Sequence, residues 1–287
     1  MTIFNLGSIN VDLVYRVPHL PGPGETLAST GFSKGLGGKG ANMSVAVTRA
    51  GGVCTHIGAV GDDGRWALQR LVDYGVVADH IATSRDATGH AIIAVDDSGE
   101  NSIILHPGAN HTLSESHIRD ALQTATSDDT FLFQNETNAL SLGVDLARER
   151  GLRIAHAAAP FEAAAVVPLL GALDLLVLNE VEAEQLQAAT GNSISDIPVG
   201  DIVVTLGARG CRWHSSGGVK EFAAVPVKPV DTTGAGDTFT GFLVAAIDQG
   251  MQMDAAIDLA GRAGALMVTR LGTADVIPTL QEVQEAF

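Results

Sequence analysis

From Thr130 onward the chain alternates short apolar runs with amphipathic ones. Thr130–Phe133, Leu152–Ala155, Leu173–Leu178 and Ile202–Leu206 read as strands, and Ala139–Arg150, Glu162–Leu170 and Val181–Ala189 as the helices between them. A strand that returns through a helix to its neighbour runs parallel to it, so this rhythm predicts an α/β fold with a mostly parallel central sheet covered by helices. The earlier part agrees: a strand at Ile3–Leu6, a helix from about Ala41 to Ala50 closed by Gly51-Gly52, a strand at Val53–Val60 and a helix at Arg65–Tyr74. A hairpin at Arg212–His214 and Val219–Ala223 and two helices near Phe239–Ile247 and Asp254–Thr269 end the pattern. Two β-rich patches, about 12–35 and 88–105, break the alternation and are expected to pair as a small β-sheet lid beside the main sheet. No repeat or low-complexity linker interrupts the chain, which predicts a single domain over residues 1–287.

The charge balance narrows the partners. With 33 acidic against 17 basic residues the chain carries −16, and a surface that negative repels nucleic acid and anionic membranes. An anionic substrate then needs a local remedy: a helix N-terminus, a metal ion or a placed lysine. Cys54 and Cys211 stand far apart without metal-like spacing, which fits a reducing compartment. The longest apolar region, about Ala155 to Leu178, is broken by Pro160, Glu162, Pro168 and Asp174, and the first residues read as a strand and not as a signal peptide. A cytoplasmic protein is expected.

In open parallel sheets ligands sit beyond the carboxyl ends of the strands. The sharpest candidate is Asp231-Thr232-Thr233-Gly234-Ala235-Gly236-Asp237, a tight turn that opens an apolar helix. Bare N–H groups and the positive end of the helix dipole suit a phosphate there, with Asp237 in the first turn. The same residues also suit a plain turn whose acid only complements the dipole. Gly7-Ser8-Ile9-Asn10-Val11-Asp12 offers an amide and a carboxylate for hydroxyls, Gly37-Gly38-Lys39-Gly40-Ala41-Asn42 permits close approach of a polar ligand, and Gln134-Asn135-Glu136 follows a strand. Gly35-Leu36-Gly37-Gly38-Lys39-Gly40 matches the dinucleotide fingerprint in form, but no apolar strand precedes it, and no Ser or Thr follows Lys39 as a Walker A loop requires. Asn179-Glu180-Val181-Glu182 reads as a capping box, and alternatively as a turn that directs Asn179 and Glu182 to a hydrated Mg²⁺. Thr205-Leu206-Gly207-Ala208-Arg209-Gly210 is a strand-end turn.

Taken in order along nearly the whole chain, these segments resemble the ribokinase family of sugar kinases, the wider group that also holds fructokinases and adenosine kinase. The runs Gly38–Asn42 and Asp231–Asp237 carry the likeness most specifically. The resemblance implies a three-layer α/β/α sandwich with a β lid, and ATP-dependent phosphorylation of a primary hydroxyl on a small sugar, with D-ribose the first substrate to try. By position it implies Asp237 as catalytic base and Gly234, Ala235 and Gly236 as the anion hole. Asn10, Asp12, Gly38, Lys39, Asn42 and Glu136 match sugar-site positions. Asn179, Thr205, Gly207, Arg209, Gly210 and Gly236 match nucleotide-site positions, and Glu182 matches a Mg²⁺ position acting through water. Asp231, Thr233, Arg270 and Gly272 match a monovalent-cation site, pointing to ATP, Mg²⁺ and K⁺ as cofactors. Three departures stand out: Ala155-His156-Ala157-Ala158-Ala159-Pro160 near a strand end where the family often has Asn-Pro, Gly261 at a polar position near the adenine, and Val276 at a cation contact. They bear on nucleotide preference and K⁺ dependence. Another sugar such as a fructose-like ketose, a nucleoside, or a sugar-binding protein without turnover are the alternatives. The open edges of the lid suggest a homodimer.

Overall fold

The structure, a computed structural model, describes residues 1–287. Strand β1 (Ile3–Leu6) opens the central sheet, and β2 (Asn10–Arg16) and β3 (Gly31–Gly37) leave it before helix α1 (Lys39–Arg49) returns. The segments β4 (Cys54–Gly61), α2 (Arg65–Asp73) and β5 (Val77–Ser84) rejoin it, and β6 (Gly89–Val95) and β7 (Asn101–His106) leave again. Then α3 (Glu115–Ala121), β8 (Thr130–Gln134), α4 (Leu140–Arg150), β9 (Arg153–Ala157), α5 (Ala163–Val166), β10 (Leu175–Asn179), α6 (Glu180–Thr190) and β11 (Asp201–Thr205) alternate. The hairpin β12 (Cys211–Ser215) and β13 (Gly218–Phe222) precedes the closing helices α7 (Ala235–Asp248), α8 (Met253–Met267) and α9 (Leu280–Ala286).

The nine strands of the main sheet lie in the order β13-β12-β11-β10-β9-β8-β1-β4-β5. Every pairing from β11 across to β5 is parallel, and the β11–β12 and β12–β13 pairings at the other edge are antiparallel. Side chains that alternate along β1 divide between two cores: Ile3 packs with α1, α7 and α8, while Phe4 and Leu6 pack with α3, α4 and α6. Two helical layers thus bury opposite faces of one sheet, as the alternation predicted. The second sheet, in the order β3-β2-β6-β7, is the expected lid.

Four elements differ from the sequence reading; one is α3, seven residues capped by Ser114, which that reading did not include. The helix expected at Glu162–Leu170 is only α5 followed by a 3₁₀ segment, Val167–Ala172, which Pro168 enters at its start because it can donate no backbone N–H. Strand β5 carries Asp79 and His80 in an edge position where only one of its eight residues is buried, so its apolar signal is weak. Helix α9 follows Pro278 and is fixed by a capping box between Thr279 and Glu282 rather than by an apolar stripe.

Candidate active site

The sharpest candidate from the sequence, the turn before Asp237, forms the base of α7. Gly234 sits at its N-cap with φ 75°, a left-handed conformation that glycine adopts without a Cβ penalty. Ala235 N donates to Thr232 O and Thr238 N to Gly234 O, which leaves the N–H groups of Gly236 and Asp237 without an acceptor in the protein. Two free donors at the positive end of a 14-residue helix make an anion seat. Behind them α7 is buried from Asp237 to Ala246, and Gly241 lets it lie against α1: a side chain there would run into Ala46 and the Met43 carbonyl.

That contact brings α1 residues to the α7 turn. Asn42 Nδ2 donates to Asp237 Oδ2 at 2.8 Å, and the other carboxylate oxygen takes no protein donor. Burial raises the Asp237 pKa, while Lys39 and the Asn42 hydrogen bond oppose the rise. Lys39 is held charged: Asp237 first, then Glu136 and Glu182, push its pKa up against the cost of burial. Glu136 Oε2 accepts from Lys39 N at 3.1 Å and from Ser8 Oγ at 2.5 Å, which ties the loop after β8 to the turns after β1 and β3. Asp12 lies against Gly37, a position where any Cβ would collide with its carboxylate. Burial, Glu136 and Asp237 raise its pKa to about 7. Asn10 Oδ1 accepts from Asn110 Nδ2 at 2.8 Å, so the Asn10 amide orientation is set from the loop after the lid.

On the other side of Lys39 and Asp237 opens a cavity of about 930 Å³, near the upper end of what small-ligand sites span. Asn179, Glu182, Thr205, Gly207, Gly210, Gly234, Ala235 and Gly236 line it, together with Gly261. The capping box at α6 is real: Asn179 Oδ1 accepts from Glu182 N and Glu182 Oε2 from Asn179 N. Those bonds use one oxygen of each side chain, and the second Glu182 oxygen stays free; burial lifts its pKa, with Lys39 nearby lowering it. The capping-box reading of this turn is what the geometry shows. Arg209 does not line the cavity and pairs instead with Glu180 at the surface.

Asp231 acts through backbone contacts. Its Oδ1 accepts from Thr233 N at 2.9 Å and its Oδ2 from Gly272 N at 3.2 Å, which binds the anion-seat turn to the loop after α8. The Arg270 guanidinium is engaged by the Val276 carbonyl and Glu282, and the Val276 methyls face Gly272 at 3.6 Å from its Cβ position.

The structure thus gathers Asn10, Asp12, Gly38, Lys39, Asn42, Glu136 and Asp237 around the α7 turn, and Lys39 and Asp237 also border the cavity that Asn179, Glu182, Thr205, Gly207 and Gly210 line. Ser8 and Asn110 were not singled out from sequence as site residues, since their partners Glu136 and Asn10 lie 128 and 100 positions away.

Comparisons with known proteins place this geometry. A family model described as pfkB family carbohydrate kinase matches residues 2–280. Ribokinase of Haemophilus influenzae is 35% identical, with 99% of this chain and 97% of that protein covered. Ribokinase of Schizosaccharomyces pombe is 33% identical, covering 100% of this chain and 98% of that protein. Among solved structures, ribokinase from Cryptococcus neoformans var. grubii serotype A in complex with ADP superposes with a TM-score of 0.84 at 32% identity, covering 100% and 99% of the two chains. Ribokinase of Arabidopsis thaliana complexed with ribose and ATP gives a TM-score of 0.84 at 25% identity, covering 99% and 97%.

Proposed function

The chain belongs to the pfkB family of carbohydrate kinases, and from that premise we propose that it transfers the γ-phosphoryl group of ATP to the primary hydroxyl of a small sugar, D-ribose before others. One observation carries the reading: a buried carboxylate with a free oxygen, Asp237, stands in the first turn of α7 beside two unpartnered N–H groups and opens on a large cavity. The relatives named ribokinase, two of them at 33% and 35% identity, support ribose as the acceptor. Residues 1–287 act as one kinase domain with its lid.

In this reading Asp12 and Asn10 hold sugar hydroxyls, and Asp237 takes the proton of the attacking hydroxyl at its free oxygen. The N–H groups of Gly236 and Asp237 and the Lys39 ammonium stabilise charge that develops on the transferring phosphoryl group. Gly207 and Gly210 let the turn after β11 approach the nucleotide. Glu182 and Asn179 would hold a hydrated Mg²⁺; when bound, it neutralises phosphate charge, and the free Glu182 oxygen suits an ion that keeps most of its waters. Positioning and charge supply most of the rate.

The test of substrate is a panel of free sugars and nucleosides with ATP and Mg²⁺, read as ADP formation. Ribose is expected to give the highest kcat/KM, and a nucleoside preferred over every free sugar overturns the assignment.

Asp12 adds a pH signature. Burial and the Glu136 and Asp237 carboxylates raise its pKa to about 7. An ionised carboxylate accepts sugar hydroxyls more strongly than a protonated one, so binding favours the ionised form. The sugar KM is expected to rise as pH falls through that value, and Asp12→Asn to flatten the profile.

A monovalent cation beside Asp231 fits poorly. Both Asp231 oxygens already accept backbone N–H groups, Val276 adds methyls where another oxygen is wanted, and Arg270 can offer only its backbone carbonyl. The anion-seat turn is braced by the protein itself, and adding KCl to a potassium-free assay is expected to leave kcat unchanged.

The lid supports a homodimer. Phe32, Ile103, Ile104 and Leu105 are 52% to 64% exposed on a four-stranded sheet with open edges. Sedimentation is expected to give twice the chain mass, and Ile104→Asp to shift it to the monomer. No helix is long and apolar enough to cross a membrane, and two buried free cysteines support a cytoplasmic location.

A further inference from the structure

Beneath the turns that carry Asn10, Lys39 and Asn42 runs a chain of polar side chains that the proposed reaction does not use. Asn5, Ser44, His56 and Gln134 are each 0% exposed. Gln134 Nε2 donates to Asn5 Oδ1 at 2.9 Å, and Asn5 Nδ2 donates to Gly40 O and to Ser44 Oγ, both at 2.8 Å. Ser44 Oγ lies 2.8 Å from His56 Nδ1, and His56 Nε2 lies 3.1 Å from Gly7 O. The partners set the tautomer. A carbonyl only accepts, so Nε2 carries the hydrogen; Nδ1 is bare and receives the Ser44 hydroxyl. Burial keeps the ring neutral, with a pKa near 4.

The two ends of this chain land on the carbonyls of Gly7 and Gly40. Those residues meet backbone to backbone: a Cβ on either would collide with the other. Gly7 starts the turn that leads to Ser8, Asn10 and Asp12, and Gly40 lies in the first turn of α1 between Lys39 and Asn42. Ala41 N donates to Ser8 O at 2.8 Å and completes the join. Gly58 in β4 leaves the room the histidine needs, since a Cβ there would stand 2.7 Å from His56 Nε2 and 2.9 Å from Gly7 O. Four buried polar groups at the centre of an apolar sandwich cost desolvation that packed aliphatic residues avoid. Here that cost is spent on two backbone carbonyls in the turns that carry the proposed sugar-site residues.

We propose that His56, with Ser44 and Asn5, is a positioning residue that fixes the Gly7 turn against the start of α1 and thereby sets the grip on the sugar. The inference rests on the sugar-kinase reading and adds to it residues that never touch substrate. Because the network holds the sugar side of Lys39 and not the nucleotide side, its loss separates the two substrates.

The test compares His56→Leu, His56→Gln and Ser44→Ala for KM of each substrate, kcat and thermal midpoint. His56→Leu is expected to raise the sugar KM about tenfold, the worth of one or two buried hydrogen bonds, with the ATP KM unchanged. His56→Gln keeps an N–H donor near the Nε2 position and is expected to recover most of that loss. Ser44→Ala, the smaller change, gives the same direction if His56→Leu does not fold. A lowered midpoint with unchanged sugar KM, or equal rises in both KM values, overturns the proposal. A wild-type chain that turns over ATP with no sugar at all overturns the functional reading as well, and so is distinguished from failure of the network alone.

Discussion

Asp237→Asn is expected to fold like the wild type and lose ~10²–10⁴ in kcat, the usual worth of a positioned base. The substitution keeps the shape of the side chain, and the Asn42 amide still finds an oxygen to donate to, as it does to Oδ2 now. What disappears is the free oxygen that takes the sugar proton. Stability is not expected to fall, because burial already raises the Asp237 pKa and an uncharged amide relieves that cost. Substrate KM values should change much less than kcat, since the lost interaction develops only as the hydroxyl gives up its proton. Circular dichroism with steady-state kinetics measures both halves. Full turnover by the variant would move the base elsewhere.

Gly40→Ala is expected to abolish measurable sugar turnover and to destabilise the chain by about 1–3 kcal/mol, the range for forcing an extra methyl into a packed core. The added Cβ would meet the backbone of Gly7 and Ser8, neither of which can rotate away as a side chain would. Relief requires α1 to part from the β1 turn, and with it Lys39 and Asn42 to part from Asn10 and Asp12. The control is Gly171→Ala, whose Cβ meets nothing within 4 Å at an ordinary backbone angle and so is expected to be silent. Thermal unfolding and kinetics of both variants check the contrast; an active, stable Gly40→Ala would remove the close contact from the account.

The layers were legible in the sequence because parallel strands buried on both faces leave apolar runs, and helices between them leave apolar stripes. The lid was legible for the opposite reason, as two patches that broke the alternation. Strand β5 and helices α3 and α9 escaped because an edge strand carrying Asp79 and His80 and seven-residue helices held by capping side chains have little periodicity to find. Within the site, Asp237, Lys39 and Asn42 were marked by glycine-rich turns, whose chemistry is local. Ser8, Asn110 and His56 were not, since each acts through a partner far away in the chain: Glu136, Asn10 and the Gly7 carbonyl. Arg209 shows the reverse case: its loop pointed to the nucleotide, and its guanidinium found Glu180.

The central claim is that the α7 turn delivers a phosphoryl group to the primary hydroxyl of a small sugar. It is tested most directly by proton-coupled phosphorus NMR of the chain incubated with ribose, ATP and Mg²⁺. The account predicts one sugar phosphate formed for each ADP, with the phosphorus coupled to the two protons of the C5 methylene. Phosphate on a secondary or anomeric hydroxyl, or ADP that accumulates equally without sugar, would contradict it.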